Sequence, residues 1–162
     1  MEWIDTWMNN PKNKKALGVN PELTFQSCNM DVNQAFFGQG DGMHNSAALL
    51  PPLLEDGVRL LVYAGNADMM CNFIGNEAWV EKLENKFHDE FAHTGAAPWL
   101  TLDSGRVAGT VRSAGGGGFT AGNVTFVQVY EAGHMVPYDQ PEAALVSHSC
   151  RCGSSAMMLM RI

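Results

Sequence analysis

Two titratable side chains stand directly after strand-like stretches of this sequence, and together they could perform acid-base chemistry. Asp68 follows the apolar run 58–64, and His134 follows the alternating run 123–130. A carboxylate that contacts an imidazole fixes its tautomer and stabilises its protonated form. The sequence therefore predicts a paired acid and base, provided that the fold brings the two loops together.

The elements that must position this pair are two strands of one parallel sheet. The run 58–64 is short, rich in branched residues and closed by Gly65 and Asn66, which is typical of a strand buried on both faces. Ligand and catalytic groups collect past the carboxyl ends of strands in open α/β sheets. If the two runs are neighbours in one parallel sheet, Asp68 and His134 should meet at one edge.

Four ordered motifs resemble the serine carboxypeptidases, and most closely the fungal carboxypeptidase Y group. They are residues 58–72, 75–79, 133–137 and 139–141, and the resemblance extends from about Trp3 to about Ser147. It implies the C-terminal part of an α/β-hydrolase fold, with a mostly parallel sheet flanked by helices and the end of a helical cap insertion at the N-terminus. Asp68 would then be the acid and His134 the base of a catalytic triad.

The resemblance divides the chain into three regions. Residues 1–42 are expected to be the end of the cap, residues 43–147 the hydrolase core with the triad acid and base, and residues 148–162 an atypical tail. The glycine-rich segment 38–42 reads as the turn between cap and core, since it lacks the surroundings of a phosphate loop.

No nucleophile elbow of the form Gly-x-Ser-x-Gly occurs in the 162 residues. The family places this element, with the oxyanion hole, upstream of the region matched here. We therefore expect a C-terminal portion that begins at an internal methionine, lacks a signal peptide and is inactive by itself, because an acid and a base alone have nothing to activate.

The resemblance also implies roles for three further residues, and a sequence motif marks a fourth. Cys71 corresponds to a thiol that lines the substrate cleft, although a small buried apolar residue is the alternative. Met135 would line the cleft beside the leaving residue, and Cys28 would form a disulfide with a cysteine that this chain does not contain. Asn123 begins a glycosylation sequon, but it heads a predicted buried strand, where glycans are disfavoured.

Three functions remain open from the sequence. The first is serine-type carboxypeptidase activity, in which peptides lose C-terminal residues through an acyl-enzyme. The second is acyl transfer to an alcohol on the same scaffold. The third is a non-catalytic remnant or binding fragment with an exposed sheet edge.

Composition restricts the partners. A hydrophobic content of 46% argues against disorder, and a formal charge of −7 disfavours nucleic acid and anionic membranes. No run has the apolar length of a membrane span. The expected partners are a peptide substrate and the missing N-terminal part of the enzyme, and no cofactor or metal is expected. The resemblance to the family implies a vacuolar or lysosome-like compartment, or secretion.

The remaining histidines are expected at the surface or at helix ends. His88 and His93 lack the spacing and the third ligand of a zinc site, and His44 precedes a helix. Helices are predicted over residues 3–8, 13–17, 31–37 and 76–88, and from residue 45 or 46 to 54 with an interruption at Pro51 and Pro52. Residues 99–111 predict a hairpin, and the N-terminal aromatic side chains are expected to be packed.

The tail departs from the family pattern. A helix over residues 142–147 should continue as an apolar stripe, but the chain instead carries Cys150 and Cys152 and a Met-rich end. Two cysteines are too few ligands for a structural metal site, and so closely spaced a pair closes a strained disulfide. We interpret the tail as a misread exon boundary or altered frame, with a variant tail as the alternative.

Overall fold

The computed structural model describes residues 2–101, 104–116 and 122–144, and the backbone of residues 157–160. The chain divides into two compact units, Met1–Asn45 and Ser46–Ile162. Within its described part, no helix has the length and apolar character needed to cross a membrane. The tail cysteines and the last predicted helical residues, 145–147, lie outside the described residues.

The described part of the first unit has three α-helices, α1 (Glu2–Asn9), α2 (Pro11–Leu17) and α3 (Met30–Gly38), followed by a 3₁₀ turn (Asp41–Met43). The side chain of Asn10 caps α2 and that of Asn29 caps α3, each by accepting a backbone N–H in the first turn. Lys14 is buried, and its ammonium donates to the carbonyls of Pro21 and Leu23. All three helices were predicted from the sequence.

The predicted packing of the N-terminal aromatic side chains is wrong for this unit. Trp3 is 88% exposed and Trp7 is 55% exposed, and Phe36 and Val32 of α3 are exposed as well. A unit of about 45 residues has too little volume to enclose many large side chains, because the buried fraction of a chain falls with its size.

The second unit begins with a 3₁₀ turn (Ser46–Leu49) that runs into α4 (Leu50–Glu55). The prediction that Pro51 and Pro52 interrupt a helix is wrong, because both lie in the first turn of α4. A proline there costs no hydrogen bond, since the first N–H groups of a helix have no partner within it.

Among the described residues of this unit, five strands form one sheet: β1 (Arg59–Gly65), β2 (Ala97–Leu100), β3 (Val107–Ala114), β4 (Val124–Val129) and β5 (Met157–Met160). Their order is β2-β3-β4-β1-β5. β1 is parallel to β4 and to β5, whereas the hairpin β2-β3 joins β4 in antiparallel fashion. The hairpin was predicted, and the parallel pairing of β1 with β4 meets the condition under which Asp68 and His134 were expected to lie together.

Apolar clusters cover both faces of the central strands. Leu60, Val62 and Ala64 pack on one face with α4, α5 (Phe73–Glu81) and α6 (His88–His93). Leu61 lies in the opposite cluster with Val136 of α7 (Val136–Asp139). Helices on two faces of a mainly parallel core make this a partial α/β-hydrolase fold, as predicted.

The prediction of one continuous helix over residues 76–88 is wrong. α5 ends at Glu81 and α6 starts at His88. Between them the side chain of Asn85 donates to the carbonyl of Leu83 at 2.6 Å and accepts from the N–H of Phe87 at 2.9 Å. These local side-chain bonds to the backbone replace helical hydrogen bonds.

Candidate active site at the ends of two parallel strands

The loops that follow β1 and β4 are bonded to each other at the carboxyl edge of the sheet. The N–H of Asn66 donates to the carbonyl of Val129 at 2.8 Å, and the N–H of Ala67 donates to that of Ala132 at 2.9 Å. A Cβ on Gly65 would lie 2.2 Å from the Ala132 oxygen, so only glycine permits this approach. The sheet thus places the residues after both strands side by side.

This arrangement brings Asp68 and His134 into contact. His134 Nδ1 lies 2.9 Å from Asp68 Oδ2. The Asp68 side chain is only 7% exposed, while that of His134 is 57% exposed. The pair therefore has a shielded carboxylate and an accessible imidazole, whose Nε2 remains for a further partner because Nδ1 contacts Asp68.

The other oxygen of Asp68 is held by its own loop. Asp68 Oδ1 accepts the N–H groups of Met70 and Cys71, both at 3.0 Å. These bonds keep the carboxylate ionised: the N–H of Cys71 and then His134 lower the pKa of Asp68, and desolvation opposes them only in part. An ionised acid facing an imidazole is the state that stabilises a developing imidazolium.

Asn76 fixes the loop that carries Asp68 and Cys71. This buried side chain donates to the carbonyls of Cys71 and Asn72 at 3.1 and 3.0 Å, and it accepts from the indole N–H of Trp79 at 3.0 Å. Sequence reasoning missed this role. An asparagine in the first turn of a helix that follows a candidate catalytic loop is the signal that could have indicated it.

A second missed residue, Asp139, supports the loop that carries His134. Its Oδ2 accepts the N–H of Gly133 at 2.8 Å. Just upstream, Glu131 adopts a left-handed conformation with φ of 54°, and its carbonyl accepts the Gln140 amide at 3.2 Å. The chain therefore turns sharply between β4 and His134, and α7 with the residue after it holds this turn.

Two of the other predicted site residues, Cys71 and Met135, belong to the same unit as the pair, and Cys28 belongs to the first unit. Donor atoms of Cys71, Asp68 and His134 all lie within 4.8 Å of one another. Met135 is adjacent to His134 in the chain and exposed. Cys28 is an exposed free thiol in the first unit, and its disulfide stays a prediction.

Asn123 lies at the start of β4, at the opposite end of this strand from the pair. Its amide is partly buried and donates to the carbonyl of Gly115 at 3.1 Å. Thr125, which completes the sequon, is buried. Glycosylation of Asn123 stays a prediction.

Comparison with known proteins identifies the family. A family model described as serine carboxypeptidase matches residues 1–149. The chain belongs to the serine carboxypeptidase family. Carboxypeptidase Y homolog A of Talaromyces stipitatus is 41% identical over 148 residues, and that of Talaromyces marneffei is 40% identical over 148 residues. The protein of the same name from Botryotinia fuckeliana is 41% identical over 143 residues.

These serine carboxypeptidase relatives are much longer than the chain. The matches with the two Talaromyces proteins cover 90% of this chain but 25% of each relative, and the match with the Botryotinia protein covers 88% and 24%. The chain thus spans about a quarter of the length of the curated proteins that it matches. The activity of a whole enzyme is accordingly a matter for proposal.

Proposed function

We propose that this chain supplies the acid and the base of a serine-type carboxypeptidase, which releases residues from the C-terminus of peptides. The observation that carries the proposal is the 2.9 Å contact between His134 Nδ1 and Asp68 Oδ2, at the ends of neighbouring parallel strands in a chain of this family. The contact geometry and the chain order of acid before base both support this assignment.

The proposed reaction uses a serine that lies outside these 162 residues. His134 takes the proton of the serine hydroxyl through Nε2, and the serine oxygen attacks the carbonyl of the last peptide bond. The protonated imidazole, stabilised by Asp68, gives the proton to the departing amine. Water then attacks the acyl-enzyme by the same route and releases the shortened peptide.

Cys71 and Met135 are proposed to line the cleft beside this pair. The Cys71 thiol lies next to the acid and the base, and the exposed Met135 side chain follows the base directly. A thiol and a thioether offer soft, apolar surfaces that adapt to different substrate side chains. They would influence which C-terminal residue is preferred without taking part in bond cleavage.

Three further properties are part of the proposal, of which the first two rest on the resemblance to the family and the third on a glycosylation sequon. Cys28, an exposed thiol, would pair with a cysteine in the remainder of the enzyme. The complete enzyme would act in a vacuole or lysosome-like compartment or outside the cell. Asn123 would receive a glycan only if its side-chain amide no longer donated to the carbonyl of Gly115.

A chimera tests the proposal. The quarter of a carboxypeptidase Y homolog A that aligns with this chain is replaced by residues 1–149, and release of C-terminal amino acids from blocked dipeptides is measured. We expect activity in the chimera and none in the 162-residue chain. H134A should lower kcat by at least about 10³-fold, whereas H93A, at an exposed histidine of α6, should leave it unchanged.

Two results would contradict the proposal. One is peptide hydrolysis by the pure 162-residue chain, because the nucleophile would then lie within it. The other is a folded H134A chimera with the activity of the parent, because the base would then be a different residue.

A further inference from the structure

Asp68, Cys71 and His134 carry three different donor atoms that transition metals bind. A carboxylate oxygen, Sγ and a ring nitrogen lie within 4.8 Å of one another. Thiolate, imidazole and carboxylate are the usual protein ligands of zinc, at about 2.0–2.3 Å from the ion, which separates neighbouring donors of a tetrahedral site by about 3.3–3.8 Å. Side-chain adjustments of about 1 Å would therefore let all three reach one ion.

The surroundings already orient two of these ligands. The N–H groups of Met70 and Cys71 hold Asp68 Oδ1, so Oδ2 remains for an ion. The amide of Asn76 holds the carbonyl of Cys71 at 3.1 Å and thereby fixes the backbone from which the thiol projects. Hydrogen bonds of this kind, one step removed from the metal, normally set ligand orientation and raise affinity.

The cluster is open to solvent on the side of His134. The His134 side chain is mostly exposed, whereas the Asp68 side chain is shielded. An ion can thus enter past the imidazole and still keep a water in a fourth position, as in zinc sites with three protein ligands.

We propose that Asp68, Cys71 and His134 bind one Zn²⁺ ion. The ion takes the place of the hydrogen bond between Asp68 and His134, and Cys71 coordinates it as a thiolate after its proton leaves to solvent. Zinc binding and acid-base chemistry are then mutually exclusive, because the same donor atoms serve both. The zinc-bound state would be an inhibited form of whatever enzyme uses the pair.

Metal titration of the 162-residue protein tests the site independently of peptide hydrolysis. Metal-free protein is titrated with ZnCl₂ by calorimetry and with CoCl₂ by absorption, in a C150S/C152S background that removes the tail thiols. We expect one ion per chain and a near-ultraviolet thiolate-to-cobalt band. C71S should abolish this band and weaken zinc binding by at least about 100-fold, which exceeds the usual effect of losing a partner outside the ligand set.

C28S is the matched control, because Cys28 is also a free cysteine but lies in the other unit. It should bind zinc like the parent. Unchanged affinity in folded C71S, or loss of binding in C28S, would overturn the proposal, as would the absence of stoichiometric binding in the parent. If C71S does not fold by circular dichroism, H134Q provides an equivalent test, since the His134 side chain is mostly exposed and its removal should also weaken binding at least about 100-fold.

Discussion

Replacement of Gly65 by alanine should separate Asp68 from His134 without touching either side chain. The added Cβ would lie 2.2 Å from the Ala132 oxygen and 2.5 Å from the Gly133 oxygen, and ordinary contact begins at 3.4 Å. Because both obstacles are backbone, the segment before His134 must move by about 1.2 Å. The 2.9 Å contact then opens to about 4 Å, beyond hydrogen-bond range.

The same displacement should destabilise the fold. Overpacking of a well-packed region costs about 1–3 kcal/mol, and the lost bond from Ala67 to the Ala132 carbonyl adds about 1 kcal/mol. We therefore expect G65A to lower the free energy of unfolding in urea by about 2–4 kcal/mol. In the chimera, a misplacement of this size should lower kcat by about 10²-fold.

Two alanine variants serve as controls for G65A. G95A adds a Cβ in open space and should change neither stability nor the His134 ring N–H resonance in NMR spectra. G122A would place a Cβ 2.1 Å from the Ala114 oxygen, beside the start of β4, so it should destabilise the fold while keeping that resonance. A G65A protein with an unchanged His134 resonance and wild-type stability would refute the reasoning.

Three more predictions concern the pH dependence of stability and two clusters of hydrogen bonds. Because the folded pKa of Asp68 lies below its ordinary value, the ionised group stabilises the fold above about pH 4, and this contribution is lost as the pH falls through the folded pKa. D68N should therefore lose more stability at pH 7 than at pH 2. An equal loss in urea titrations at the two pH values would contradict this. R112M should lower the free energy of unfolding, measured by thermal unfolding, by about 2 kcal/mol. The Arg112 side chain is 11% exposed, donates to the carbonyls of Phe91 and Ala92 and contacts Glu77 and Glu81. K82M, at an exposed position, should lower it by under about 0.5 kcal/mol. N76L should lower the free energy of unfolding by about 1–3 kcal/mol because buried polar groups lose their partners. The control is N72A, which removes only a helix cap worth about 1 kcal/mol. A smaller loss in N76L than in N72A would argue against this prediction.

The sequence was most informative where hydrophobic pattern and chain order act together. The runs that became β1 and β4 could be predicted as strands because the first is apolar and closed by Gly65, while the second alternates apolar with polar residues. Their parallel pairing, which the prediction took as a condition, brings Asp68 and His134 together. The family resemblance, which the comparisons confirm, supplied the assignment of acid and base. That assignment is still a proposal for this chain.

The sequence was least informative where contacts between distant parts of the chain determine the local structure. Nothing in the pattern indicated that Arg112 of β3 would reach α5 and α6, because its partners lie about 20 to 35 positions away. The strand at Met157–Met160, parallel to β1, was also missed. Residues 157–160 contain none of the β-branched or aromatic residues that are typical of strands, so the sequence pattern did not indicate one.

The separation of Asp68 and His134 along the chain also determines the interval between their synthesis on the ribosome. Asp68 and His134 are 66 positions apart, so at a synthesis rate of about 5–20 residues per second His134 emerges from the ribosome roughly 3–13 s after Asp68. During this interval β1 lacks the strand that will place the imidazole, while the local hairpin can already form. Assembly of the pair must therefore wait until β4 and the loop that follows it have been synthesised.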